Sequence, residues 1–193
     1  MGKPQLKTER IILRELTLDD KYNLFKLFSE KFVSTYEAHL PTKNISDIEN
    51  YIKFHLENAK SSNRTHYYFT IQSKEHNEFL GMIGYANVEK TCINDIAGWI
   101  AEFEYYLLEA HWNKGYMTEA LKKAISFAFA NKNILKVFAQ CHKSNPKSEN
   151  VMIKCGMYKS ATQPMPKLYN GVLKENVRYE LTVQGKDEAT CNT

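Results

Sequence analysis

Trp112-Asn113-Lys114-Gly115-Tyr116-Met117-Thr118-Glu119-Ala120 sets a small turn directly before a strongly amphipathic helix. Past the turn, Met117, Ala120, Leu121, Ala124, Ile125, Ala128 and Phe129 recur at i, i+3, i+4, i+7, i+8, i+11 and i+12, the apolar stripe of a helix laid on a core. Upstream, Ala101-Glu102-Phe103-Glu104-Tyr105-Tyr106-Leu107-Leu108 is rich in aromatics and reads as a strand. A strand, a turn and a helix N-terminus in that order leave backbone N–H groups without partners, and these can receive an anion. The expected ligand carries phosphate.

Working outward, the chain reads as one domain with a proper core. It has 193 residues, 43% of them hydrophobic and 25% charged, the proportions of a globular protein. A net charge of +4 is too small for a dedicated nucleic-acid binder. No apolar run approaches the roughly 20 residues of a membrane span. Met1 to Lys7 lacks the apolar segment of a signal peptide, and Leu6 stands where N-myristoylation expects Ser or Thr. The four cysteines (Cys92, Cys141, Cys155, Cys191) form no C-x-x-C pair, which suits reduced thiols in a cytoplasmic protein. The six histidines form no ligand-spaced pair, so no metal is expected.

Glu9 to Leu16 is read as the first strand, followed by a short helix that Thr17 and Asp19 can cap, carrying Leu24, Phe25, Leu27 and Phe28. Pro41 interrupts, and Ser46-Asp47-Ile48-Glu49 resembles a capping box opening a helix with Ile48, Ile52, Leu56 and Ala59 on one face. His66 to Gln72 and Phe79 to Val88 form a hairpin around Lys74-Glu75-His76-Asn77. Ile134 to Cys141 is a strand. Asn145 suits an N-cap, Pro146 the first helical position and Gly156 the helix end. Strands near Met157–Ser160 and Val177–Val183 close the domain. The order β-α-α-β-β-β-α-β-α-β-β mixes an antiparallel meander with a βαβ crossover, hence α+β with a mixed sheet.

Three motifs in order resemble the GNAT acetyltransferase superfamily, and within it the Rim-type N-terminal acetyltransferases of ribosomal proteins. Trp112 to Met117 aligns with the acetyl-CoA motif Q/R-x-x-G-x-G/A, and Gly115 to Ala120 with the run Gly-Tyr-x-Thr-Glu-Ala. Asn145 and Ser148, then Lys154-Cys155-Gly156-Met157, match the downstream motif. Thr8 to Arg14 fits the opening segment. The resemblance spans roughly residues 8–183 and implies a GNAT domain over 8–184 with a flexible tail at 185–193. It also implies a mostly antiparallel sheet, flanked by helices and splayed between its fourth and fifth strands, with acetyl-CoA wedged in the gap.

The resemblance also assigns roles. Acetyl-CoA would rest on the amides from Asn113, Lys114, Gly115, Tyr116 and Met117 to Thr118. The thioester carbonyl would meet a backbone N–H near Tyr106, Leu107 and Leu108, where the strand bulges. Asn145 would bond the pantetheine arm. Met117 replaces the usual small residue, so its side chain must point away from the cofactor. Glu102 matches the Ala-Glu pair whose carboxylate is the base in some relatives. Glu104, where Rim-type chains often have Gly, is either a base or a partner for a cationic substrate, and either Glu could instead sit on a solvated sheet edge. Many relatives return the proton to the thiolate from a Tyr where this chain has Met152. Ser148 is the candidate here and Tyr158 a weaker one, while Cys155 belongs on the core stripe. The acceptor would lie between the helices near residues 19–60 and the loop 163–174, with Phe32, Tyr36, Tyr85, Trp99 and Tyr169 as candidate walls. It is a peptide N-terminus, a polyamine, an aminoglycoside or another small amine. A homodimer is compatible with the family. The alternative function is a non-catalytic acyl-CoA-binding module, which Met117 and Met152 would suit.

Overall fold

Leu80 to Tyr85 is buried at every position, the mark of a central strand with helices above and below it. The structure, a computed structural model, describes residues 5–36, 44–130, 133–161, 167–169 and 172–183. Eight strands form its main sheet in the order β1 (Gln5–Lys7), β2 (Ile11–Glu15), β3 (His66–Ser73), β4 (Phe79–Ile93), β5 (Ile96–Leu107), β6 (Ile134–His142), β10 (Asn176–Thr182) and β7 (Tyr158–Lys159). β8 (Lys167–Tyr169) and β9 (Val172–Lys174) pair separately.

Every neighbouring pair in the main sheet is antiparallel except β5 and β6, which are parallel. A parallel pair needs a crossover, and α4 (Tyr116–Ala130) provides it. Met117, Ala120, Leu121, Ala124, Ile125 and Ala128 are all buried, as the stripe predicts. They share a core with Ile83, Tyr85, Phe103 and Val137, and α5 (Pro146–Lys154) adds Met152 to it. On the opposite face, α1 (Lys21–Ser29) and α3 (Ile45–Lys60) bring Leu24, Leu27, Phe28, Ile48 and Ile52 against Tyr68 and Met82. Each such apolar side chain contributes about 1.5–3 kcal/mol on burial.

The splay has a simple cause. β5 pairs with β6 only from Trp99↔Ile134 to Phe103↔Ala139, while β6 turns to pair with β10 as far as His142↔Asn176. Glu104 to Leu107 therefore continue β5 with an open edge on that side. These are the expected fourth and fifth strands, displaced by one number because β1 precedes the predicted first strand.

Several local expectations change. β4 does not stop at Val88 but runs to Ile93 and turns through Asn94 and Asp95, both at positive φ (48° and 61°). The register shift in this pair falls between Asn87 and Glu89, and none occurs opposite residues 106–108. The cap of α3 is Asn44, whose Oδ1 accepts from the Asp47 N–H at 2.9 Å, and Glu49 instead takes the Lys21 ammonium at 2.6 Å. Asp20, not Asp19, closes the first turn: it accepts from the Thr17 N–H and pairs bidentately with Arg14 at 2.7 and 2.8 Å. A short helix not foreseen, α2 (Lys31–Tyr36), precedes the break at Pro41. Pro41 itself, residues 163–166 and 170–171 of the expected loop and the tail from residue 184 lie outside the described residues, while 167–169 and 172–174 of that loop are the strands β8 and β9.

Candidate active site

Asn113 and Gly115 both sit at positive φ (60° and 81°), and this alternation turns successive amides toward one side as an anion nest. α4 starts at once: its first intrahelical bond is Glu119 N–H to the Gly115 carbonyl at 3.1 Å. The N–H groups of Tyr116, Met117 and Thr118 therefore lack helical partners. Asn113, Gly115, Tyr116, Met117 and Thr118 line a cleft of about 300 Å³ that also receives Glu102, Glu104, Tyr106, Leu107, Asn145 and Ser148. Met117 touches this cleft while remaining 7% exposed in the main core, so its bulk goes inward.

Two residues expected at the cofactor do not line the cleft. Leu108 donates its N–H to the Leu80 carbonyl at 2.9 Å, which spends that donor on β4. Strand amides alternate between edges, so Tyr106 also faces β4, whereas Tyr105 and Leu107 face the open side. The Leu107 carbonyl confirms this by accepting from the Trp112 indole N–H at 2.8 Å. Leu107 thus carries its N–H on the side of β5 that the splay leaves open. Lys114 is the other absentee; its carbonyl accepts from Arg10 Nη1 at 2.9 Å.

The two glutamates share a face, as alternation predicts. Glu102 Oε1 accepts from Gln140 Nε2 at 2.6 Å. Glu104 Oε2 accepts from the Tyr68 hydroxyl at 2.9 Å. The second bond depends on Gly84, which pairs with both Tyr68 and Glu104. A Cβ there would come within 2.4 Å of the Tyr68 ring, so glycine lets the phenol cross β4. Burial, then the Glu104 charge, pushes the Tyr68 phenol far above its ordinary range. Beside it His55 is buried with Nδ1 unpartnered, its ring 4.1 Å from that of Tyr68. Burial lowers its pKa to about 4, and His66 and Arg64 act in the same direction. Neither glutamate forms an ion pair among the described residues; both are held by neutral donors.

Ser148 is placed from two directions. Its N–H donates to Asn145 Oδ1 at 3.1 Å, so Asn145 is an N-cap that also lines the cleft. Its hydroxyl shares a 2.8 Å hydrogen bond with the Tyr105 hydroxyl, which also donates to the Ser148 carbonyl at 3.2 Å. Burial raises the Tyr105 phenol above its usual range, against the lowering effect of Ser148. Tyr105 was not singled out from the sequence, because it alternates away from the glutamates; α5 packs on that second face and brings Ser148 to it. Trp112, the first residue of the motif, is packed in a way the sequence did not announce: Phe32 meets its ring edge-on at 5.0 Å, and Lys147 Nζ lies 4.1 Å above it.

Other candidates fall elsewhere. Tyr158 is 48% exposed, bonds Thr182 and does not line the cleft. Met152 is fully buried. Cys141 and Cys155 are both pushed up to about 11 by burial, inert thiols at neutral pH. Tyr85 is core, and Trp99 packs on the core under Lys90. Phe32 alone of the described aromatic candidates lines the cleft; the side chains of Tyr36 and Tyr169 lie outside those described. No helix among the described residues is long and apolar enough to cross a membrane.

Comparison with known proteins agrees with the fold. The acetyltransferase (GNAT) domain family matches residues 10–158. The chain is 25% identical over 169 residues to the uncharacterized N-acetyltransferase YoaA of Bacillus subtilis, covering 87% of this chain and 90% of that one. Its fold is shared with RimL, a ribosomal L7/L12 alpha-N-protein acetyltransferase in complex with coenzyme A, at a TM-score of 0.79 and 14% identity over 93% of this chain and 98% of that one. It is shared equally with the spermidine N-acetyltransferase of Vibrio cholerae in complex with CoA and spermine, at 0.74 and 18% over 91% and 96%. With a splayed mixed sheet, an amide nest at the head of α4 and a family match over most of its length, the chain belongs to the GNAT family and is an acetyl-CoA-dependent N-acetyltransferase.

Proposed function

We propose that this protein transfers the acetyl group of acetyl-CoA to a cationic primary amine by direct attack in a ternary complex, in a cytoplasmic setting. The observation that carries the acceptor's charge is the pair Glu102 and Glu104, two cleft carboxylates that among the described residues are held only by the neutral donors Gln140 and Tyr68. An unneutralised pair of this kind attracts an ammonium group. A peptide N-terminus, a polyamine, an aminoglycoside or another small amine meets that requirement, and the neighbours named above include both protein and polyamine acetyltransferases.

Bound acetyl-CoA supplies the activated acyl carbon. The amides of residues 113–118 and the N-terminus of α4 hold its pyrophosphate. Asn145 orients the pantetheine arm, and the Leu107 N–H polarises the thioester carbonyl, a donor typically worth about 2.7–4 kcal/mol in the transition state. Glu102 takes a proton from the ammonium through water so that the nitrogen lone pair is free to attack. Glu104 holds the positive charge beside it. The Ser148 hydroxyl, backed by Tyr105, protonates the departing sulfur and is restored by the second proton that the nitrogen releases as the amide forms.

Glu102→Gln tests the assignment. It keeps the side chain's size, so acetyl-CoA affinity stays near that of the parent while turnover at neutral pH falls about ten-fold or more. Unchanged turnover would remove Glu102 from the mechanism.

A further inference from the structure

Arg10 lies between β1 and β2, more than a hundred residues from the amide nest in sequence, yet it touches the nest at Lys114 and Tyr116 and grips Glu119 just beyond it. Its backbone N–H donates to Glu119 Oε1 at 2.9 Å, alongside the Thr8 hydroxyl at 2.5 Å. Its Nε and Nη2 both lie 2.7 Å from Glu119 Oε2. The remaining nitrogen, Nη1, reaches the Lys114 carbonyl at 2.9 Å. The guanidinium sits 4.7 Å from the centre of the Tyr116 ring. A Cβ on Gly115 would come within 3.3 Å of Nη2, so the group lies close against the turn.

Two consequences follow from elementary chemistry. The Lys114–Gly115 peptide is planar and trans, so its carbonyl and its N–H point in opposite directions. Pinning the carbonyl to Arg10 fixes the Gly115 N–H on the other side, where Gly115 borders the cleft. Glu119, for its part, stands in the first turn of α4, where a bare carboxylate would oppose an incoming diphosphate. Four donors saturate it, and Arg10 cancels its charge. Burial raises the Glu119 carboxyl, but the hydrogen bonds from Thr8 and Arg10 outweigh it and hold the group below its usual range, ionised at neutral pH.

We propose that Arg10, oriented by Glu119, is a positioning residue that forms the phosphate-binding turn before the cofactor arrives. The inference rests on the reading that residues 113–118 receive the pyrophosphate of acetyl-CoA. Preorganisation of this kind acts on binding rather than on the chemical step.

The test compares two acyl donors, acetyl-CoA and S-acetylpantetheine, which lacks the pyrophosphate. Arg10→Ala should raise KM for acetyl-CoA about ten-fold or more with kcat within about two-fold, and leave kcat/KM for S-acetylpantetheine unchanged. Arg10→Lys should not rescue, because an ammonium has no second arm for the Lys114 carbonyl. Glu119→Gln, which preserves shape, should give a smaller loss of the same kind. An equal loss with both donors, or full rescue by Lys, would overturn the inference. Parent protein that uses the two donors equally well would instead overturn the pyrophosphate reading beneath it.

Discussion

Tyr105→Phe separates the chemistry of Ser148 from its structural role. The substitution removes one oxygen and leaves the ring, so no cavity forms beneath α5. What is lost is the 2.8 Å bond to the Ser148 hydroxyl and the 3.2 Å bond to its carbonyl. Neutral hydrogen bonds are worth about 1 kcal/mol net each, so the fold should lose about 1–2 kcal/mol. In a chain of this size that lowers Tm by roughly 2–8 °C. The catalytic effect is larger if Ser148 protonates the thiolate, because the freed hydroxyl no longer aims at one place. We expect kcat to fall about ten-fold, with KM for acetyl-CoA within about three-fold. Ser148→Ala should cost about 10²–10⁴, and the double variant should be no slower than Ser148→Ala alone, since both changes act on one proton. Thiol release under saturating acetyl-CoA gives the rates, and calorimetry gives Tm. A Tyr105→Phe protein with parent turnover would refute the coupling, and additive losses in the double variant would show two independent contributions.

Two further outcomes follow from the acceptor side. Gly84→Ala drives a methyl into the Tyr68 ring at 2.4 Å. This should cost about 1–3 kcal/mol by overpacking and raise KM for the amine more than for acetyl-CoA, read from initial rates with each substrate varied. His55, at about 4 when folded against an ordinary 6.5, stays neutral in the folded chain but charges in the unfolded one as pH falls from 6.5 toward 4. Its contribution, about 3 kcal/mol, is present above 6.5 and lost across that window. In denaturant melts at pH 7 and pH 4, the parent should therefore lose more stability on acidification than His55→Gln. Parallel losses would show that His55 does not titrate as its burial implies.

How much of this was legible in the residues depended on range. The α4 stripe, the Asn145 cap with Pro146 behind it, and the Gly156 stop are local, and the helices they announce are present. Alternation along β5 correctly put Glu102 and Glu104 on one face. The same alternation, applied to amides instead of side chains, singles out Leu107 over Leu108, but only once the Leu80 contact shows which edge is taken. Tyr68–Gly84–Glu104 is a row across three strands, and Arg10–Glu119 joins the β1–β2 connection to the first turn of α4. Neither leaves a signal in local spacing, because each depends on register. The Asn94-Asp95 turn did carry a signal, two residues that tolerate left-handed backbone, hidden by the polar exposed run before it.

The most direct test is to incubate the protein with acetyl-CoA and a panel of amines spanning ribosomal N-terminal peptides, polyamines and aminoglycosides, and to measure the CoA thiol released. The account predicts release that depends on the amine, is strongest with a cationic acceptor class, and falls about ten-fold or more in Glu102→Gln. Thiol release that is indifferent to the amine or to Glu102, or failure of the protein to bind acetyl-CoA at all, would contradict it.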